Sequence, residues 1–177
     1  MGNWFKSNHQ AIWKSTAVNL IVEMVNKEVN IESHYLFTYR DKKIYPGVTT
    51  RSHQDLIKNI ISVNDFPPGI ENTFMALKHA LEKVEKNSFV CLWTDQLGKD
   101  RSNALLRQQI VNLKAATNSE IFFMVIPRQW IANVLQPVDI SVYKNVYDDI
   151  GHVMDIEHDP EVIPKMIQII KKAALCN

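Results

Sequence analysis

Cysteine is scarce in this chain of 177 residues: there are two, Cys91 in the apolar run 89–93 and Cys176 beside the C-terminus, so a disulfide framework is excluded. They read as a small buried hydrophobe and a free terminal thiol, which suits a reducing compartment. Glycine is equally sparse. With 5 Gly there is no G-x-x-x-x-G-K-[ST], no G-x-G-x-x-G and no G-x-S-x-G, which removes phosphate cradles and a nucleophile elbow. Cys-x-x-Cys and His-Glu-x-x-His are missing too, and with them the commonest zinc signatures. No apolar stretch reaches the ~18 residues of a membrane span, so membrane insertion is not expected. Residues 1–6 carry no charged segment leading into an apolar one, hence no signal peptide is read in this chain, and Lys6 stands where a myristoylation signal wants Ser or Thr. The chain also lacks an excess of either charge: 20 Lys+Arg against 19 Asp+Glu leave +1, no broad field for nucleic acid or an anionic membrane. What is present is apolar content of 46%, enough for a core, and the expectation is a single globular domain over 1–177.

Periodicity sets out the elements. Trp13, Ala17, Leu20, Ile21, Met24 and Val25 form a helical stripe over 9–27. Residues 35–39 and Ile44-Tyr45, before Pro46-Gly47, read as two strands joined by the charged turn Asp41-Lys42-Lys43. Ser52 is a plausible N-cap for a helix carrying Leu56, Ile57, Ile60 and Ile61, stopped by the Pro- and Gly-bearing segment 64–69. Phe74, Leu77, Leu81 and Val84 predict a helix over 72–85, and Leu106, Ile110 and Leu113 another over 103–116. The runs 89–94 and 121–126 are nearly continuous apolar segments of strand length, which fits strands buried on both faces of a parallel sheet. Residues 127–137 read as an aromatic-bearing loop around Trp130, followed by a short helix over 142–150, a strand over 152–156 and a last helix from Pro160. Strands alternating with helices make an α/β layered domain, a mostly parallel sheet with helices on both faces.

An open parallel sheet binds ligands at the C-terminal ends of its strands, which draws attention to Asp95, directly after the run 89–94, and to Glu71 at the start of the helix over 72–85. The bland reading makes Glu71 a first-turn helix acid and Asp95 a loop cap. His152 and His158, bracketing the last strand, read as structural, and Asp155, Glu157 and Asp159 as a solvated acidic edge. An enzyme would use Asp95 with a nearby His as acid and base, and would need a deep pocket around them.

The segments Glu71-Asn72-Thr73-Phe74-Met75-Ala76-Leu77-Lys78-His79-Ala80-Leu81 and Phe89-Val90-Cys91-Leu92-Trp93-Thr94-Asp95-Gln96-Leu97-Gly98-Lys99-Asp100, with Tyr143-Lys144-Asn145-Val146-Tyr147-Asp148-Asp149-Ile150 leading into the last strand, resemble a von Willebrand factor A domain, nearest the hemicentin type. The resemblance runs the length of the chain. It implies a three-layer fold and a non-enzymatic adhesion module whose divalent ion, held at the top of the sheet, is completed by a carboxylate of a protein partner. Glu71 and Asp95 match two of that family's ligand elements, and Thr73 is a lesser helper. The Asp-x-Ser-x-Ser loop and the central first strand before it have no counterpart, and Met1-Gly2-Asn3-Trp4-Phe5 stands at that junction. The resemblance therefore implies an N-terminally truncated domain with an incomplete site, holding no cofactor or at most weakly bound Mg or Ca. It further implies a gap of about two strand spacings, or direct pairing of the strands over 35–39 and 89–94, or a strand recruited from a partner or a second copy. The chain is then a fragment of a larger matrix or cell-adhesion protein, extracellular if that parent is secreted. An exposed Trp130 beside Asp95 would favour a protein-binding face over a structural remnant without a ligand.

Overall fold

A computed structural model describes residues 2–63 and 71–175, with side chains described for 9–63 and 71–174. The helix stop at 64–69 and Cys176 lie outside the described residues. Two compact units emerge, one up to Val63 and one from Glu71.

The first unit opens with α1 (Gly2–Asn26), which starts earlier than the expected His9. Ala17, Leu20, Ile21 and Met24 of the expected stripe are buried, whereas Val25 is exposed. The helix closes with Glu28 in the left-handed region and Val29 N–H bonded to the Met24 carbonyl at 2.9 Å. Next come β1 (His34–Arg40) and β2 (Lys43–Thr50), an antiparallel hairpin whose turn residues Asp41 and Lys42 both have positive φ, 49° and 62°. Pro46-Gly47 does not end β2 as expected. The register slips between Leu36 and Thr38, and Gly47 lies so close to the Leu36 carbonyl that a Cβ there would meet its oxygen at 1.5 Å. A bulge is where a strand accommodates Pro, and only Gly permits that approach. Finally α2 (His53–Ser62) starts as expected at Ser52, whose hydroxyl accepts the Asp55 N–H at 3.2 Å, and it buries Leu56 and Ile60.

The second unit is an α/β arrangement built on a three-stranded parallel sheet. In chain order it contains α3 (Thr73–Lys83), β3 (Phe89–Thr94), α4 (Ala104–Thr117), β4 (Glu120–Val125), β5 (Arg128–Ile131), β6 (Val134–Pro137), α5 (Ser141–Tyr147), β7 (His152–Asp155) and α6 (Val162–Leu175). The parallel order is β3-β4-β7. Successive residues Ile121 to Val125 of β4 are all fully buried, so both faces of this central strand are covered, with α6 packing against it and α3 against β3.

Three expectations are corrected. The strand over 35–39 is β1, paired with β2 in a hairpin of its own: a two-residue turn lets it satisfy its ladder locally, and β1 has no other ladder partner among the described residues. β3 is not buried on both faces but alternates, with Val90, Leu92 and Thr94 buried and Phe89, Cys91 and Trp93 partly exposed, as suits a strand that pairs only with β4 among the described residues. Burial still pushes the Cys91 thiol up to about 12, so alkylation at pH 8 is expected to mark Cys91 only after denaturation, as mass mapping would show. Residues 127–137 are not a loop but the hairpin β5–β6, turning at Ala132 and Asn133 with φ of 50° and 63°.

Candidate functional site

The sheet's C-terminal end gathers the residues singled out in the sequence. Glu71 immediately precedes Asn72, the N-cap of α3, and its carboxylate accepts a hydrogen bond from the hydroxyl of Thr94, the last residue of β3. The same hydroxyl accepts the Gln96 N–H at 3.1 Å, so the Thr94-Asp95-Gln96 turn is fixed against Glu71. The Glu71 carbonyl in turn takes the Lys99 N–H at 2.8 Å. Glu71 and Asp95 thus lie at one end of the sheet.

Beneath them runs a chain of hydrogen bonds that sequence reasoning did not resolve. The Gly98 N–H donates to the Tyr147 hydroxyl at 3.1 Å, which lies 3.1 Å from Thr73 Oγ1, and Thr73 Oγ1 donates to Asp100 Oδ1 at 3.4 Å. A carboxylate only accepts, so the Thr73 proton is committed to Asp100 and the Tyr147 proton goes to Thr73. Asp100 also accepts the N–H groups of Phe74 (3.2 Å, Oδ1) and Met75 (2.9 Å, Oδ2). It therefore caps α3 from a distant loop, where Asn72 makes no side-chain cap of its own. Nothing in the sequence signalled this, since Asn72 is itself a residue type that caps helices. Asp100→Ala is expected to cost about 1–2 kcal/mol in urea unfolding, with Asp100→Asn recovering part of it.

Burial, with the Glu71 and Asp100 charges nearby, holds the Tyr147 hydroxyl above its ordinary pKa. Burial likewise raises Tyr143, helped by Asp95 and Glu71. Tyr143 remains a donor to the Arg128 carbonyl at 2.6 Å and accepts the Arg128 N–H at 3.3 Å, which seats the base of β5. The Arg128 side chain is buried and pairs with Glu157 at 2.7 Å, so Glu157 is a structural anchor rather than part of a solvated acidic edge. From that base β5 carries Trp130 outward. Trp130 is 53% exposed, and its indole N–H donates to Gln96 Oε1 at 3.1 Å, next to Asp95 in sequence. Ile131 and Val134 at the hairpin tip are exposed as well. His152 meets Glu120 at 2.9 Å and His158 meets Asp155 at 3.1 Å, both pairs apart from Glu71 and Asp95 in these contacts.

Thr73 is fully buried and its hydroxyl is spent on Tyr147 and Asp100, while both Asp100 oxygens serve the α3 backbone. Among the described residues no group of three or more His, Cys, Asp or Glu is placed to hold a metal. Mg²⁺ wants about six oxygens in near-octahedral order.

No protein-family model matches the chain, and no curated protein or solved structure matches it.

Proposed function

We propose that the chain acts as a non-enzymatic protein-binding module of von Willebrand factor A-like type, with a degenerate cation site that holds Mg or Ca weakly or not at all. The observation that carries this reading is the exposed Trp130 held beside the Asp95 turn by its bond to Gln96, with apolar Ile131 and Val134 next to it. Large aromatic side chains anchored at their polar edge are the usual centres of protein interfaces, and a folded chain gains nothing by leaving one in water. The carboxylates of Glu71 and Asp95 would supply a polar border to that contact. An acid–base enzyme would need a pocket around Asp95, and two cavities among the described residues, of about 390 and 360 Å³, are lined by other residues. A second partner mode is a strand added to β3, which has one ladder partner among the described residues.

The test is affinity capture with the immobilised chain, followed by titration of each captured protein against wild type and Trp130→Ala with and without EDTA. Loss of an interfacial Trp is expected to weaken binding by about 30-fold or more. Fold stability should stay within about 1 kcal/mol, since the ring is largely in solvent. Binding that ignores Trp130→Ala, or that EDTA abolishes, would contradict the proposal.

A further inference from the structure

In the first unit two imidazoles, neither used by the binding reading, meet one another. His34 opens β1 and His53 opens α2, and the hairpin register sets His34 opposite Thr50, three residues before His53. Their ring centroids are 5.0 Å apart with planes at 67°. The Nε2 atoms of both are buried and have no hydrogen-bond partner among the described residues. A buried polar atom left unpaired costs about 1–3 kcal/mol, and two on adjacent rings call for a shared partner.

We propose that His34 and His53 form a two-nitrogen site for a divalent transition-metal ion of zinc type. The spacing suits it: with Zn–N bonds of about 2.0–2.1 Å and a tetrahedral angle, two imidazoles ligating through Nε2 place their ring centroids about 5 Å apart. The chemistry suits it as well. Imidazole nitrogen is a borderline-soft donor that zinc accepts and that Mg²⁺ and Ca²⁺ do not favour, so this site is separate in kind from the carboxylates of Glu71 and Asp95. A cavity of about 360 Å³ in the same unit, lined by Ile21, Val22, Val25 and Ile57, also has His53 in its lining. Since no third His, Cys, Asp or Glu joins the pair among the described residues, the remaining positions on the ion would fall to water.

The experiment titrates the full chain with Zn²⁺ by calorimetry and records zinc-edge X-ray absorption of the loaded protein. One ion per chain is expected with two imidazole nitrogens in its first coordination sphere, weakened at least tenfold by His34→Gln or His53→Gln and unchanged by His158→Gln. Circular dichroism checks that each variant is folded; should one fail to fold, the coordination seen in the wild-type spectrum decides. Absence of saturable zinc binding, fewer than two imidazoles on the bound ion, or binding that survives both substitutions in folded variants would overturn the site.

Discussion

Gly98→Ala is expected to lower the unfolding free energy by about 2–4 kcal/mol, the sum of an overpacking cost and of hydrogen bonds lost around it. A Cβ at this position would stand 1.9 Å from Thr73 Oγ1 and 2.9 Å from Asp100 Oδ1. Thr73 cannot step aside, because its side chain is fully buried between Tyr147 and Asp100. The loop would have to move instead, which parts the Gly98 N–H from Tyr147 and pulls on the Lys99 bond to the Glu71 carbonyl. The same movement withdraws Asp100 from the start of α3. Urea unfolding gives the magnitude, and faster hydrogen exchange at the Phe74 and Met75 amides would locate it. Unchanged stability would show that the loop carries none of the load assigned to it.

Tyr147→Phe is expected to cost about 2–3 kcal/mol, because it takes the donor from the buried Thr73 oxygen and the acceptor from the Gly98 N–H while leaving the ring. The apolar part stays in place: the ring stacks on Phe123 with centroids 4.4 Å apart and meets Phe74 edge-on at 5.9 Å. The loss is therefore polar, and it should be non-additive with Gly98→Ala, since both break the same Gly98–Tyr147 bond. Alkali provides an independent check. The folded Tyr147 pKa is raised, so above the ordinary tyrosine value of about 10 the unfolded chain releases its proton first and stability falls as pH rises, while below that value this contribution is intact. Tyr147→Phe should flatten part of that alkaline decline, with the raised Tyr143 accounting for some of the remainder. An alkaline profile identical to wild type would contradict the burial assigned to the Tyr147 hydroxyl.

The local elements were legible where one force dominates. Apolar periodicity located α3, α4 and the strands β3 and β4 closely, and Ser52 capped α2 as its residue type suggests. The hairpin β5–β6 was not legible, because its two-residue turn is Ala132-Asn133 in place of the Asn-Gly or Asp-Gly that announces such turns. The extension of β2 through Pro46-Gly47 was hidden for a related reason: both residues usually end a strand, and only the bulge opposite them makes the pair acceptable. Of the site, the juxtaposition of Glu71 with the Thr94-Asp95 turn could be read from strand and helix order alone. Its support could not. Asp100 lies 26 and 25 positions from the two amides it caps, Gly98 lies 49 from Tyr147, and no periodicity links residues that far apart. Trp130 was visible as a residue, but its bond to Gln96 depends on the hairpin that carries it.

The proposed function has the end of this sheet offer protein partners an aromatic and acidic face in which the carboxylates do not by themselves secure a hard cation. Calorimetric titration of the full chain with Mg²⁺, Ca²⁺ and Mn²⁺, repeated on Asp95→Ala, tests it most directly. The account predicts no saturation below about 1 mM, the weak limit of calcium-binding modules, and no difference between the two proteins. Stoichiometric binding of any of the three at lower concentration, lost in Asp95→Ala, would contradict it.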